Sequence, residues 1–359
     1  MKKLKNIIDF ISLALRTKFI ELINKKSRLE NNKLLSNNEK NIYGFLDLSN
    51  FRSTYDIIGF LIYCKIKSNN KNFTLIIIKN KNKNKDITIN PSKENNFIGD
   101  KSVDLRTDNI VKPCLELVED FDFKLIISER NDINKYLSLD SEQKIPSFSS
   151  LDKIIDWDSY YIYINDYFKK NKTIPSLKSP EYAYKLVDLY KKKNNINKKI
   201  VTITLRDSSY SPLRNSNIEN WKKVYKYLED NNYYPIILDD NENLLAQSSK
   251  NNLSGFNQYY FANVDPRIRL ALYEKSYFNL SVNHGLSQLL IYSKYCKFLI
   301  FKHYVNDEAS PASLERIEKI VGLKKNEQYP FFNNKQKLVW NVNDDYELII
   351  DEFKKIIND

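Results

Sequence analysis

The chain of 359 residues is poor in the residue types that build several common functional sites. Its three cysteines, Cys64, Cys114 and Cys296, lie far apart within apolar segments, which predicts buried free thiols in a reducing compartment and not a disulfide scaffold. Only two histidines are present, His284 and His303, and they form no metal-ligand pattern with the cysteines. We therefore expect neither a metal site nor a bound cofactor.

Long apolar runs are also absent. Near the N-terminus apolar residues recur along one face, but Asp9 and Arg16 interrupt any run that could span a membrane, which excludes a signal peptide and a transmembrane helix. Residues 1–35 carry nine Lys and Arg against three acidic residues, and this excess of six is half of the formal net charge of +12. The pattern predicts a basic amphipathic helical segment over residues 1–40.

Two locations are consistent with such a segment, and the sequence does not decide between them. Residues 1–25 could lie on an anionic membrane surface, or the helix could pack on its own domain. In both cases we expect a cytoplasmic protein, which in the first case would be peripheral at the inner face of the plasma membrane. The positive charge comes without a helix-turn-helix, RNA-recognition or zinc motif, and AT-rich codons alone favour Lys, Asn, Ile and Tyr. We therefore expect no nucleic-acid partner.

Glycine is scarce, at six residues, and no Gly-rich dinucleotide-binding motif follows a predicted strand. What the chain does contain, between residues 198 and 302, is a repeated order of apolar strand, polar loop and amphipathic helix. This order predicts half of a doubly wound α/β domain with a buried parallel sheet. Ligands of such sheets bind outside the carboxyl ends of the strands, so the polar residues at those ends are candidates for a site.

Arginines follow the first strand of this region, residues 199–205. Arg206 comes directly after it, and Arg214 lies in the loop before a helix that Asn217 can cap. Guanidinium groups beside a capped helix N-terminus suit a phosphate, and Asn215 belongs to the same group of candidates. The alternatives are an exposed loop position for Arg214 and a structural ion pair for Arg206.

Acidic residues follow the second strand of the region, residues 234–238. Asp240 and Glu242 lie where nucleotide-binding folds often contact the ribose or the base. The stretch Asp265-Pro-Arg-Ile-Arg predicts a helix capped by Asp265 with proline in its first turn.

A second candidate site is the turn Asn283-His284-Gly285, between a strand and the helix that contains Ser287. A rare glycine at this point predicts either a positive φ or the close approach of another group. These four residues are candidates for contacting phosphate. The alternative for His284 is a neutral imidazole that is hydrogen-bonded at the strand end.

The residues from 198 to 302 resemble the nucleotide-sugar-binding half of GT-B glycosyltransferases, with the heptosyltransferase-like and fucosyltransferase-like groups nearest. Arg206 resembles a strand-terminal arginine that contacts the donor diphosphate, and Asn283-His284-Gly285 resembles a turn near the donor phosphates. The chain departs from these groups in lacking an Arg-Arg-Gly-Asp-type run and an acid-Ser/Thr-Gly triplet. Glu308 and Glu315 also miss the paired-glutamate spacing of retaining enzymes by one residue, which favours inversion.

The resemblance implies an α/β fold of two Rossmann-like domains facing a cleft. Predicted divisions are an N-terminal segment (1–40), an acceptor domain (41–150), a helical connection (151–197), a donor-binding domain (198–330) and a C-terminal strand and helix packing back on the N-terminal domain (331–359). Transfer to a hydroxyl with inversion needs a general base, for which Asp47, at the end of a strand, and Asp56, at the start of a helix, are the candidates. Arg52 is a candidate for an acidic acceptor group. Asp56 could instead only stabilise the helix dipole.

The functional prediction is a metal-independent, inverting glycosyltransferase that transfers a sugar from a nucleotide-sugar donor to a cell-surface glycan or a lipid-linked acceptor. A polysaccharide pyruvyl transferase is the first alternative, because such enzymes carry a similar Ile-x-Leu-Arg strand end and use phosphoenolpyruvate. A non-catalytic carbohydrate-binding protein is the second.

Overall fold

A computed structural model describes residues 41–48, 54–69, 71–79, 106–148, 159–208, 211–239, 253, 255–308, 310 and 312–358. It divides the chain into two compact units. The first comprises Met1–Phe51, Ser68–Asn82 and Asp122–Ile155, and the second Arg52–Lys67, Lys83–Phe121 and Asp156–Asp359. The predicted helix over residues 1–40 lies outside the described residues.

The first unit is built on a parallel sheet of four strands. They are β1 (Ile42–Asp47), β2 (Phe73–Ile78), β3 (Lys124–Ser128) and β4 (Lys144–Ile145), in the order β3-β2-β1-β4. The two central strands are almost entirely buried, as their apolar sequences predict. Arg130–Tyr136 form a 3₁₀ helix whose buried Ile133 and Tyr136 pack against this sheet.

The second unit is built on five parallel strands. They are β5 (Lys199–Thr204), β6 (Tyr233–Leu238), β7 (Phe278–Val282), β8 (Phe298–Phe301) and β9 (Gln336–Leu338), in the order β6-β5-β7-β8-β9. The chain therefore winds outward in one direction from β5 to β6 and in the other from β7 to β9. The switch point of this doubly wound sheet lies between β5 and β7, and its carboxyl edge is where such sheets bind ligands.

Nine labelled helices belong to the described part of the chain. They are α1 (Ile57–Ser68), α2 (Ser159–Asn171), α3 (Glu181–Lys193), α4 (Ile218–Asp230), α5 (Tyr260–Val264), α6 (Pro266–Lys275), α7 (Ser287–Ile291), α8 (Leu314–Val321) and α9 (Tyr346–Asn358). The predicted caps are confirmed, because Asn217 accepts from the Asn220 amide at 3.4 Å and Asp265 from the Arg267 amide at 2.9 Å. Both close an open helix N-terminus.

Two helical segments are short. Thr107–Val111 and Lys112–Cys114 form helical turns. Helix α7 ends at Ile291, because the carbonyl of Tyr292 accepts from the amide of Leu177 at 2.8 Å and does not continue the helix.

The C-terminal helix α9 packs within the second unit. Its Ile349, Ile350, Phe353 and Ile356 are buried in the core that also contains Trp221. Its apolar face therefore belongs to the core that α4 and the adjacent sheet form. The predicted domain boundaries, including the packing of residues 331–359 on the N-terminal domain, remain predictions.

Candidate functional site

The switch point of the second sheet brings the two predicted phosphate-binding segments together. Arg206 comes two positions after β5, and Asn283 comes directly after the neighbouring strand β7. A side chain joins the two segments, because Nη2 of Arg214 donates to the main-chain oxygen of Asn283 at 3.1 Å. The expectation that these residues share one edge of the sheet is confirmed.

The loop after β5 closes around the guanidinium of Arg206, which is only 4% exposed. Nη1 donates to the main-chain oxygen of Ser211 at 3.2 Å and to Oδ1 of Asn215. The Asn215 side chain also accepts from the amide of Ser208 at 3.1 Å and donates to its carbonyl at 2.9 Å. Asn215 therefore holds the loop that orients Arg206.

The turn after β7 is held by the side chains of its own residues. Oγ of Ser287 accepts from the amide of His284 and donates to the main-chain oxygen of Val282, both at 3.2 Å. Ser281 donates its hydroxyl proton to the carbonyl of Val282 at 2.8 Å, so its contact of 3.2 Å with Nε2 of His284 makes Nε2 the donor. The hydroxyl of Ser287, which was predicted to contact phosphate, therefore stabilises the turn through both of these hydrogen bonds.

His284 is neutral in this environment. Burial lowers the pKa of its imidazole well below 6.5, and the guanidinium groups of Arg269, Arg206 and Arg214 lower it further. Three positively charged side chains therefore lie around the turn. This environment agrees with the neutral alternative that the sequence left open.

Gly285 is exposed at the tip of the turn, and its φ is not in the left-handed region. Of the two predicted reasons for a glycine, the positive φ is therefore wrong. The close approach is real: a Cβ at this position would lie 3.3 Å from Cδ2 of Tyr55. The segment containing Tyr55 and Asp56 thus lies beside the turn, within the second unit.

Asp56 precedes α1 and is half-buried. Its Oδ2 accepts from Oγ1 of Thr54 at 2.7 Å, and its Oδ1 accepts from the hydroxyl of Tyr161 at 2.8 Å. The other candidate base, Asp47, belongs to the first unit, where it is buried in an ion pair with Arg130. The two candidate bases, Asp56 and Asp47, therefore lie in different environments.

Arg269 is part of this site, and sequence reasoning missed it. Its fully buried guanidinium donates to the carbonyl of Ala262 at 2.7 Å and to that of Asp239, at the end of β6, at 2.5 Å. Burial raises the pKa of the Asp239 carboxyl, which Arg269 partly offsets. The available signal was an arginine within the apolar run of α6, every residue of which from Pro266 to Tyr273 is buried.

Lys302 and His303 follow β8 at the same edge. Nζ of Lys302 donates to the main-chain oxygen of Asn215 at 2.6 Å and lies 3.5 Å from Oδ1 of Asp344. The ring of His303 is buried against Trp340, and burial, with a contribution from Arg214, lowers its pKa to about 3.

Three predicted site residues, Arg52, Asp240 and Glu242, lie outside the described residues. Within the described ranges, no three His, Cys, Asp or Glu side chains are grouped so that they could hold a metal ion. A search of the same ranges finds no helix with the length and apolarity needed to cross a membrane.

No protein-family model and no curated protein sequence matches this chain. Solved structures do match it. A glycosyl transferase family 9 protein from Veillonella parvula has a TM-score of 0.54 and 8% identity, over 88% of this chain and 97% of that one. The E. coli ADP-heptose LPS heptosyltransferase II has a TM-score of 0.50 and 9% identity, over 88% and 98%. The predicted α/β class is confirmed, and this chain has the fold of heptosyltransferase-like GT-B glycosyltransferases.

Proposed function

We propose that this protein is a glycosyltransferase that transfers a sugar from a nucleotide-sugar donor to a hydroxyl of a glycan or lipid-linked acceptor. The observation that supports this most is the placement of Arg206, Arg214 and Arg269 around the turn at the switch point, where their charges depress the pKa of His284. Doubly wound sheets bind nucleotides at this edge. The likeness to glycosyltransferase structures supports the same function.

In this proposal the guanidinium groups stabilise the departing nucleoside diphosphate. Negative charge grows on the diphosphate as the bond to the anomeric carbon breaks, and fixed positive groups lower the energy of that transition state. Arg206 and Arg214 would contact the phosphates, while the fully buried Arg269 would contribute its charge from behind the turn. Because these side chains supply the positive charge, we propose a metal-independent transfer.

Asp56 is the proposed general base. It would accept the proton of the acceptor hydroxyl as that oxygen bonds to the anomeric carbon and the nucleoside diphosphate leaves, a single displacement that inverts the configuration. Asp56 is preferred to Asp47 because the adjacent residue Tyr55 lies beside Gly285, whereas Asp47 is in a buried ion pair with Arg130. The roles of Asp240 and Glu242 at the nucleoside, and of Arg52 at the acceptor, are proposed from the sequence alone.

The test is a thermal-shift screen against ADP, GDP, UDP, CDP, dTDP, pyrophosphate and phosphoenolpyruvate. ADP-heptose belongs in the screen because one of the similar structures is an ADP-heptose transferase. A ligand at a hundred times its Kd stabilises the folded state by about 2.7 kcal/mol, which raises Tm by several degrees. We expect a shift with one nucleoside diphosphate.

Two variants make this test specific. We expect the shift to disappear in Arg206→Ala and to persist in Arg316→Ala, which removes an exposed arginine from α8. A shift with phosphoenolpyruvate alone would instead support pyruvyl transfer. No shift with any anion in the wild-type protein would contradict the proposal and favour a carbohydrate-binding protein.

A further inference from the structure

Both carboxylate oxygens of Asp56 accept hydrogen bonds, and the two donors come from distant parts of the sequence. Thr54 donates to Oδ2 at 2.7 Å from just before α1, and Tyr161 donates to Oδ1 at 2.8 Å from the first turn of α2. Two donors on separate segments fix both the position and the rotation of the carboxylate plane. Each carboxylate oxygen has a second lone pair, so one acceptor position on each remains for a substrate hydroxyl.

The hydroxyl of Tyr161 is suited to act as a donor. The residue is only 7% exposed, and burial, followed by the negative charge of Asp56, raises its pKa well above 10. A phenol that stays protonated beside a carboxylate donates its proton to the hydrogen bond.

Other buried tyrosines lie near the same carboxylate. The hydroxyl of Tyr160 donates to the main-chain oxygen of Asp56 at 3.2 Å. The charge of Asp56 also raises the pKa values of Tyr292 and Tyr329, to which burial contributes most. Tyr163 is the matched control, because it lies half-buried on the same helix with its ring packed on that of Tyr63, centroids 5.1 Å apart.

We propose that Tyr161 is a positioning residue that holds the Asp56 carboxylate in the orientation needed to take the proton from the acceptor hydroxyl. The inference rests on the proposed function, in which Asp56 is the base. Tyr161 neither gains nor loses a proton in the step. The acceptor proton moves to Asp56, the acceptor oxygen bonds to the anomeric carbon, and the bond from that carbon to the diphosphate breaks.

The experiment measures release of nucleoside diphosphate from ADP-heptose, UDP-glucose, UDP-N-acetylglucosamine and GDP-mannose, with water as the acceptor. Four proteins are compared: wild type, Tyr161→Phe, Tyr163→Phe and Asp56→Asn. We expect Asp56→Asn to lower kcat about 100-fold or more, the range for loss of a general base. We expect Tyr161→Phe to lower kcat about 10-fold with an unchanged KM for the donor, because a misplaced catalytic group slows the chemical step. Tyr163→Phe should resemble the wild type.

The split between kcat and KM separates positioning from general damage to the fold. A carboxylate that is no longer held slows proton transfer but leaves donor binding intact, so Tyr161→Phe should keep the KM of the wild type and its thermal shift with the nucleoside diphosphate. A purely structural role would lower Tm and raise KM. Equal kcat values for Tyr161→Phe and Tyr163→Phe would overturn the proposal.

The failure of the proposed function has a different signature. In that case the wild-type protein would release no nucleoside diphosphate from any of the four donors and would show no thermal shift with nucleoside diphosphates. The role of Tyr161 would then fall together with that of Asp56. If the wild type is active and only the Tyr161 variant gives an unexpected result, the positioning role alone is wrong.

Discussion

The two histidines of this chain are both buried beside arginines, and both are neutral at physiological pH. For His303 the environment is apolar enough that neither ring nitrogen has a hydrogen-bond partner among the described residues. The imidazole serves there as a flat ring against the edge of Trp340, with centroids 4.5 Å apart. Its polarity contributes nothing favourable to the folded state.

His303 should therefore make the protein less stable in acid. Its pKa is about 3 when folded and about 6.5 when unfolded. Between these values the unfolded chain binds more protons, so stability is complete above pH 6.5 and falls as the pH decreases toward 3. At pH 5 the loss is about 2 kcal/mol relative to pH 8.

The variant His303→Phe removes this titration and keeps the ring. We expect urea denaturation at pH 8 to give a stability equal to or above that of the wild type, because no hydrogen bond is lost. At pH 5 the variant should be more stable by about 2 kcal/mol. An identical loss of stability between pH 8 and pH 5 in both proteins would show that His303 does not titrate in this way.

Gly322 and Gly285 differ in the effect that a methyl group should have on stability and on ligand binding. Gly322 ends α8 with a φ of 74°, and an added Cβ would lie 3.2 Å from Cγ1 of Ile162. Gly322→Ala should cost about 1 to 2 kcal/mol of stability, the cost of a left-handed alanine, with the ligand-induced thermal shift unchanged. Gly285→Ala should cost less stability, since its φ is ordinary, and should reduce the shift because the new methyl displaces the Tyr55 ring.

Thermal-shift measurements on both variants, with and without the nucleoside diphosphate, distinguish these effects. If both variants lost stability and ligand binding in the same proportion, the contact between Gly285 and Tyr55 would have no specific role at the site.

Among the elements, the packing of α4 depends on one buried acid. Oδ2 of Asp344 accepts from the amide of Asn217 at 2.8 Å and from Nε1 of Trp221 at 2.6 Å, while Oδ1 lies 3.5 Å from Nζ of Lys302. Asp344 thus connects the segment before α9 to the start of α4 and to the end of β8. Removing it leaves a buried ammonium group and a buried indole N–H without this partner.

We expect Asp344→Ala to lower the free energy of unfolding by about 3 kcal/mol, as for other broken buried ion pairs. The control is Asp351→Ala, which removes an exposed acid from α9 and should change stability by less than about 0.5 kcal/mol. Urea denaturation of both variants measures the difference. Similar values for the two would mean that Asp344 is not the connection described here.

The elements that the sequence predicted well are those whose pattern is local. Strand β5 is rich in buried β-branched residues, β6 ends in the buried run Pro-Ile-Ile-Leu, and Asn217 and Asp265 are typical N-caps of the helices that follow them. The two-residue strand β4 has no local pattern, since it exists only through its pairing with β1. The core that contains α9 could not be identified from the sequence, because an apolar helix face does not specify which core it joins.

The functional site shows the same difference between features with a local sequence pattern and features that depend on long-range contacts. Arg206, Arg214 and the turn at Asn283 could be grouped from the sequence, because parallel strands place their carboxyl ends at one edge. Arg269 could not be found in this way. Its burial depends on the carbonyls of Asp239 and Ala262, which only the folded chain brings to it. Which acid is accessible, Asp47 or Asp56, likewise depends on Arg130, far away in the sequence.

At the scale of the whole molecule, this chain shares its parallel-sheet fold with glycosyltransferase structures to which it is 8% and 9% identical. The fold supplies the switch point, and this chain places arginines and a neutral histidine there. The formal net charge of +12 favours the approach of an anionic donor from a distance. The central claim is that this arrangement promotes the departure of a nucleoside diphosphate.

The rate of nucleoside diphosphate release provides the test. It is measured for the wild type, Arg206→Ala and Arg316→Ala with the nucleotide sugar whose diphosphate gives the thermal shift. We expect release by the wild type and Arg316→Ala, and a rate lower by about 100-fold or more for Arg206→Ala, as when one transition-state donor is lost. Equal release by all three proteins, or no release by a wild type that binds the nucleotide, would contradict this claim.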